Sequence, residues 1–162
     1  MKRILILADT HGDISESRKL LNNIIGINMV IHLGDYLRDA VILSKEYPEI
    51  EFEYVPGNND FRINQDEKLL IIDDVKIYIC HGHTKSVSSG LEYVARSAKS
   101  KGAEFAFFGH VHYPIDEIYD GVRCFCPGSP SRPRSGNASV GIMEIDKGYI
   151  GLSHYPLGGS FL

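Results

Sequence analysis

Arg3-Ile4-Leu5-Ile6-Leu7-Ala8-Asp9-Thr10-His11 stands near the start of the chain, and its reading decides the fold. Ile4 to Ala8 are apolar without a break, so residues 3–8 read as a strand buried on both faces. Two metal-ligand residue types then follow at once, Asp9 and His11. The same sequence of events recurs four more times. Gly34-Asp35, Gly57-Asn58-Asn59-Asp60, His81-Gly82-His83 and Gly109-His110-Val111-His112 each follow an apolar, β-favouring run. In an open α/β sheet, ligands collect at the carboxyl ends of the strands. The five clusters therefore read as one site assembled from five loops.

Working outward, Asp13-Ile14-Ser15-Glu16 resembles a capping box with Asp in the first position, followed by an apolar stripe of Ile14, Leu20, Leu21, Ile24 and Ile25. Residues 29–33 form a second strand. A second helix presents Leu37, Ala40, Val41 and Ser44 on one face and stops before Pro48. Residues 51–55 form a third strand. This β-α-β-α-β order implies parallel strands with right-handed crossovers. Residues 69–72 and 75–80 flank Asp73-Asp74 as a hairpin. Ser89-Gly90-Leu91-Glu92 opens a third helix with Leu91, Val94, Ala95 and Ala98 as its buried stripe, ended by Gly102. Strands follow at 104–108, 115–119, 122–126, 139–145 and 149–155. Asp120-Gly121 and Lys147-Gly148 serve as hairpin turns. About ten strands would curl or split a single sheet, so two sheets with outer helices are expected.

The bulk numbers agree. A length of 162 residues favours one domain over residues 1–162 and is enough to bury a real core. The net charge of −4 and the absence of a long basic run argue against a general nucleic-acid coat or a membrane-surface binder. No run approaches the ~18 apolar residues of a membrane span. Three cysteines, Cys80, Cys124 and Cys126, fit a reducing compartment, and the cytoplasm is the expected location. Cys124 and Cys126 read as core packing, and Cys80 should face away from His81.

Asp9 and His11 lie two apart, as do His110 and His112. In extended backbone, each pair would point to one side and reach one metal. Carboxylate oxygens with imidazole nitrogens suit manganese, iron, zinc, cobalt or nickel better than calcium. Two such ions, roughly 3.5–4 Å apart, form a clamp for in-line displacement at phosphorus. Two divalent ions supply roughly four positive charges; Asp9, Asp35 and a bridging hydroxide remove roughly three, which leaves a pocket for an anion. Taken alone, Asp-x-His, Gly-Asp or Gly-Asn-Asn-Asp reads as structural or as a turn. Their ordered occurrence with the two histidine pairs carries the reading. His32 and His154 read as structural. Arg132 and Arg134 lie on a Pro-rich loop and read as solvated, with a phosphate grip as the alternative.

These motifs resemble the calcineurin-like metallophosphoesterase superfamily, in particular its small YfcE-type phosphodiesterase branch. The likeness runs from Asp9 to Pro127-Gly128-Ser129, where Cys126 replaces the branch's Asn. The resemblance implies an α/β fold: a four-layer α/β/β/α sandwich of two mixed sheets flanked by helices. It implies Asp9, His11 and His112 on a first metal, Asn58, His81 and His110 on a second, and Asp35 bridging both. His83 would lie close enough to touch substrate. A metal-bridging hydroxide would attack phosphorus, with Asn58 and His110 stabilising the developing charge. Manganese is the expected ion, and small homo-oligomers are expected.

One departure stands out. Many members carry Gly-Asn-His-Asp/Glu, whose histidine protonates the leaving group. Here that position is Asn59, which cannot act as an acid. Asn59 and Arg134 remain as candidate substrate contacts. The expected substrate is a small phosphodiester. A scaffold of the same fold, like the related retromer subunit, is the rival reading, and a nuclease ranks lower.

Overall fold

The computed structural model describes residues 1–61 and 65–158. Ten strands and three helices follow in the order β1 Lys2–Leu7, α1 Ser15–Asn23, β2 Ile27–His32, α2 Leu37–Glu46, β3 Glu51–Tyr54, β4 Glu67–Ile72, β5 Val75–Cys80, α3 Glu92–Ser100, β6 Phe105–Phe107, β7 Pro114–Tyr119, β8 Val122–Pro127, β9 Ser139–Asp146 and β10 Tyr149–Pro156. A single 3-10 turn, His83–Lys85, precedes α3. One sheet has the order β10-β9-β1-β2-β3 and the other β4-β5-β6-β8-β7. Each mixes parallel and antiparallel pairs: β1-β2-β3 and β5-β6-β8 run parallel, while the hairpin partners run antiparallel.

Alternation along the strands builds the layers. Ile4 and Ile6 of β1, Ile77 and Ile79 of β5, Phe125 of β8 and Met143 of β9 meet between the sheets. Leu5 and Leu7 face the other way, onto Leu20 and Leu21 of α1 and Leu43 of α2. On the far side, Tyr78, Cys80, Cys124 and Cys126 pack against Val94, Ala95 and Ala98 of α3. Side chains that alternate across a pleat can serve two cores only if both faces are covered, and here both are. The four layers are therefore α1/α2, sheet, sheet and α3, as expected. The three cysteines are buried in the outer core, and Cys80 points away from His81 as the strand period requires.

The strand and hairpin readings hold closely. Asp73 and Asp74, Asp120 and Gly121, and Lys147 and Gly148 all take positive φ at their hairpin turns. Three local expectations fail. Neither capping box forms: α1 and α3 begin after Ile14 and Leu91 with no side-chain cap. Asp13 Oδ1 instead accepts from the backbone N and the hydroxyl of Ser15, a local loop solution to the same unpaired donors. The buried residues of α2 are Asp39, Ala40 and Leu43 rather than Leu37, Ala40, Val41 and Ser44. The helix is rotated because the Asp39 carboxylate is drawn inward to a polar network. Ile25 lies beyond α1 and is exposed.

That network starts at His32, which is fully buried. The Gly34 N–H donates to its Nδ1 at 3.2 Å, so its proton sits on Nε2, 2.9 Å from the Thr10 hydroxyl. Thr10 donates in turn to Asp39 Oδ2 at 2.6 Å, which also accepts from the Gly12 N–H. The chain of donors and acceptors closes only with a neutral imidazole, and burial pushes the His32 pKa down to about 4. His32 is thus structural, as expected. It joins the loops after β1 and β2.

A lowered histidine pKa means the unfolded chain binds the proton first. Stability should fall as pH drops from about 6.5 toward 4, and level off below that. Urea unfolding at pH 7 and pH 4.5 should show a loss of about 2–3 kcal/mol attributable to His32. His32→Gln should remove that share of the pH dependence; an identical slope in the variant would contradict the network.

Candidate metal centre

All five clusters lie just past strand ends, after β1, β2, β3, β5 and β6, and the fold brings them together. Asp9, His11, Asp35 and His112 offer ligand atoms that all lie within 4.8 Å of one another. His112 Nε2 is 3.3 Å from Asp9 Oδ1 and 3.4 Å from His11 Nε2, while His11 Nε2 is 3.4 Å from Asp35 Oδ2. On the other side, Asn58 Oδ1 lies 3.0 Å from His81 Nε2 and 3.1 Å from His110 Nδ1. Asp35 Oδ1 is 3.5 Å from the same His81 nitrogen. Asp35 thus turns one oxygen to each group of ligands.

The backbone that achieves this is not extended. Asp9, His11, Asp35, His110 and His112 all have φ between 49° and 73°. The expectation that extended residues two apart would share a side is therefore replaced by a left-handed kink at each position. Such conformations are costly for residues with a side chain and persist where the surroundings over-determine them. Glycine admits the close approach of the loops. A Cβ on Gly57 would stand 2.1 Å from Asp35 Oδ1, and one on Gly34, at φ +97°, would stand 2.6 Å from the Gly57 nitrogen.

Backbone carbonyls fix the imidazoles. His81 Nδ1 is 2.7 Å from the Leu33 carbonyl and His112 Nδ1 is 2.9 Å from the Arg132 carbonyl. A carbonyl only accepts, so both rings carry their proton on Nδ1 and turn Nε2 lone pairs into the site. Those lone pairs face oxygens and a nitrogen that are themselves acceptors. Asp9 is fully buried, and its Oδ1 has no hydrogen-bond partner among the described residues. Converging acceptors around an unpaired buried carboxylate oxygen are costly unless a cation sits among them. The residues present therefore fit divalent ions.

Titration follows the same logic. Burial lowers the pKa of His11, of His110 and of His83, which favours neutral imidazoles. The Asp9 carboxylate raises that of His112, so Asp9 favours positive charge at the position a cation would take. At Asp35, burial opposes ionisation, but His81, two hydrogen bonds from Asn59 and His11 outweigh it and lower the pKa.

Several supporting groups were not legible from motifs. Asn59 donates from its backbone N to Asp35 Oδ1 at 3.0 Å and from Nδ2 to Asp35 Oδ2 at 2.8 Å. The His110 N–H donates to Asp9 Oδ2 at 2.9 Å. Ser129 and Ser131 hydroxyls donate to the carbonyls of Asp9 and Thr10, which ties in the loop after β8. That loop also carries Arg132 and Arg134, whose side chains are exposed. His83 is adjacent, with its ring 5.4 Å from that of His81. His154 lies elsewhere: it stacks on Phe125 at 4.3 Å and donates to the Cys126 carbonyl, a structural role as expected.

Fold and site together define a metal-dependent phosphoester hydrolase. The chain belongs to the calcineurin-like phosphoesterase superfamily, whose domain matches residues 1–148. It is 32% identical over 161 residues to the probable metallophosphoesterase YsnB of Bacillus subtilis, across 97% of this chain and 92% of that protein. It is 29% identical to the phosphodiesterase MJ0936 of Methanocaldococcus jannaschii, across 90% and 94%. A crystal structure of a predicted phosphoesterase from Streptococcus pneumoniae superposes with a TM-score of 0.79 at 24% identity, covering 96% of this chain and 89% of that one.

Asn59→Ala removes the side-chain bond to Asp35 Oδ2. Loss of an outer partner of a metal ligand typically costs 10–100-fold in metal affinity or activity. Manganese titration of the metal-stripped variant should show a weakening of about that size with an unchanged melting temperature in the metal-free form.

Proposed function

We propose that this chain is a dimetal phosphodiesterase acting on small diesters. The observation that supports this most directly is the paired ligand set: two groups of acceptors meet at one carboxylate, Asp35. Asp9, His11 and His112 would hold one ion, Asn58, His81 and His110 the other, and Asp35 would serve both. Manganese is the activating ion we expect, with iron, zinc, nickel or cobalt as substitutes that the same donors accept. When bound, the two ions supply Lewis acidity and acidify a water to serve as nucleophile.

The remaining chemistry falls to the protein. The buried loops keep the ligands in place, so little reorganisation accompanies charge development. His110 and Asn58, at the solvent side of the second ligand group, would stabilise charge on the equatorial phosphoryl oxygens. His83 is exposed beside the site, and partial desolvation there lowers its pKa. It can orient a substrate oxygen or, when protonated, donate a proton to the leaving group. Asn59 donates to Asp35 and carries no acidic proton, so good leaving groups are favoured. Arg134 supplies positive charge at the mouth from a loop whose backbone donates to the His112 carbonyl. A single catalytic unit over residues 1–162 and a cytoplasmic setting complete the reading. No helix among the described residues is long and apolar enough to cross a membrane.

The test is hydrolysis of bis-p-nitrophenyl phosphate by metal-stripped protein with and without manganese, beside Asp35→Asn. Turnover that requires manganese and drops at least 100-fold in the variant is expected. Manganese-bound wild type with no turnover would favour the scaffold reading of this fold.

A further inference from the structure

Beside the metal centre, Tyr36, Leu37, Arg38, Asn59, Asp60 and Phe61 line a cleft of about 390 Å³, within the range of small-molecule sites. Resting on the phosphodiesterase reading, we propose that this cleft seats a planar aromatic group carried by the substrate, a nucleobase or aryl ring esterified to the phosphate.

Three observations carry this. The cleft is continuous with the ligand set. Asn59 lines it and also donates to Asp35, and the Tyr36 ring lies 5.2 Å from that of His11. A phosphate at the metals would therefore place an attached group in the cleft. The cleft is also preformed. Both oxygens of Asp60 are committed, Oδ1 to the Leu37 N–H at 2.7 Å and Oδ2 to the Gly57 N–H at 2.8 Å, which locks the loops after β2 and β3 together. Tyr36 itself sits at φ +69°, a strained position, and its ring lies between His11 and Arg38 at the cleft.

The surfaces, finally, are flat. Phe61 is 97% exposed, an aromatic ring left in water at the cleft's edge. The Arg38 guanidinium lies over the Tyr36 ring, 5.1 Å from its centroid, and makes no ion pair among the described residues. Two aromatic faces with a planar cation suit a stacked ring better than an alkyl chain, because stacking and cation–π attraction need a π face. Asn59 contributes an amide at the inner end.

Equilibrium binding to the manganese-loaded protein tests this with three probes: adenosine 5′-monophosphate, glycerol 3-phosphate and inorganic phosphate. The nucleotide should bind about tenfold or more tightly than glycerol 3-phosphate. Phe61→Ala and Tyr36→Ala should each erase most of that difference, while the Kd for inorganic phosphate stays put. Phe61→Tyr should restore the preference. Equal binding of the two organic phosphates, or a preference that survives both alanine variants, would overturn the cleft's role. If inorganic phosphate fails to bind wild type, the phosphoesterase reading falls, and adenosine alone then tests the cleft. Saturable adenosine binding lost in Phe61→Ala supports the cleft; no binding overturns it.

Discussion

The Asp9 carboxylate is the constraint on which the site depends. It is fully buried at the end of a central strand, where an isolated charge would be strongly disfavoured. Its surroundings answer that cost from several directions. The Asp9 N–H donates to the Gly34 carbonyl, Oδ2 accepts from the His110 N–H and the Asp9 carbonyl accepts from Ser129. One residue therefore ties together the loops after β1, β2, β6 and β8. The remaining oxygen, Oδ1, faces His112 and His81 and is left for a cation.

This explains why two sheets are needed. The first sheet supplies Asp9, His11, Asp35 and Asn58 from the ends of β1, β2 and β3. The second supplies His81, His110 and His112 from the ends of β5 and β6. A dry core of Ile4, Ile6, Ile77, Ile79 and Phe125 fixes the sheets face to face. Packing at interior density resists small displacements, so the core's rigidity is passed to the ligands above it. The helices contribute less directly. Asp39 of α2 reaches in through Thr10 to His32, which braces the first two loops from behind.

Much of this was legible in the residues. Strand runs such as Ile4–Ala8 pointed to covered sheets, because burial on both faces leaves a continuous apolar signature, and the polar clusters after them pointed to the one region where the fold brings them together. The left-handed backbone at Asp9, His11, Asp35, His110 and His112 was not legible. Nothing in those residue types demands positive φ, and only the packed loops impose it. The carbonyls of Leu33 and Arg132 that set two histidine tautomers were equally hidden, since any residue could offer them. Asp39 was left out of the expected α2 face because a buried carboxylate adds nothing to an apolar stripe. Asn59 was read through the histidine it replaces, while its bond to Asp35 depends on loop geometry that a motif does not carry.

The central claim is that seven side chains are prearranged for two cations bridged by Asp35. Manganese titrated into the metal-stripped protein, followed by electron paramagnetic resonance, measures it directly. The account predicts two ions per chain at saturation, with the spectrum of a spin-coupled pair that collapses to isolated ions when Asp35 is changed to Ala. Saturation at one ion, or two uncoupled ions in the unaltered protein, would contradict it.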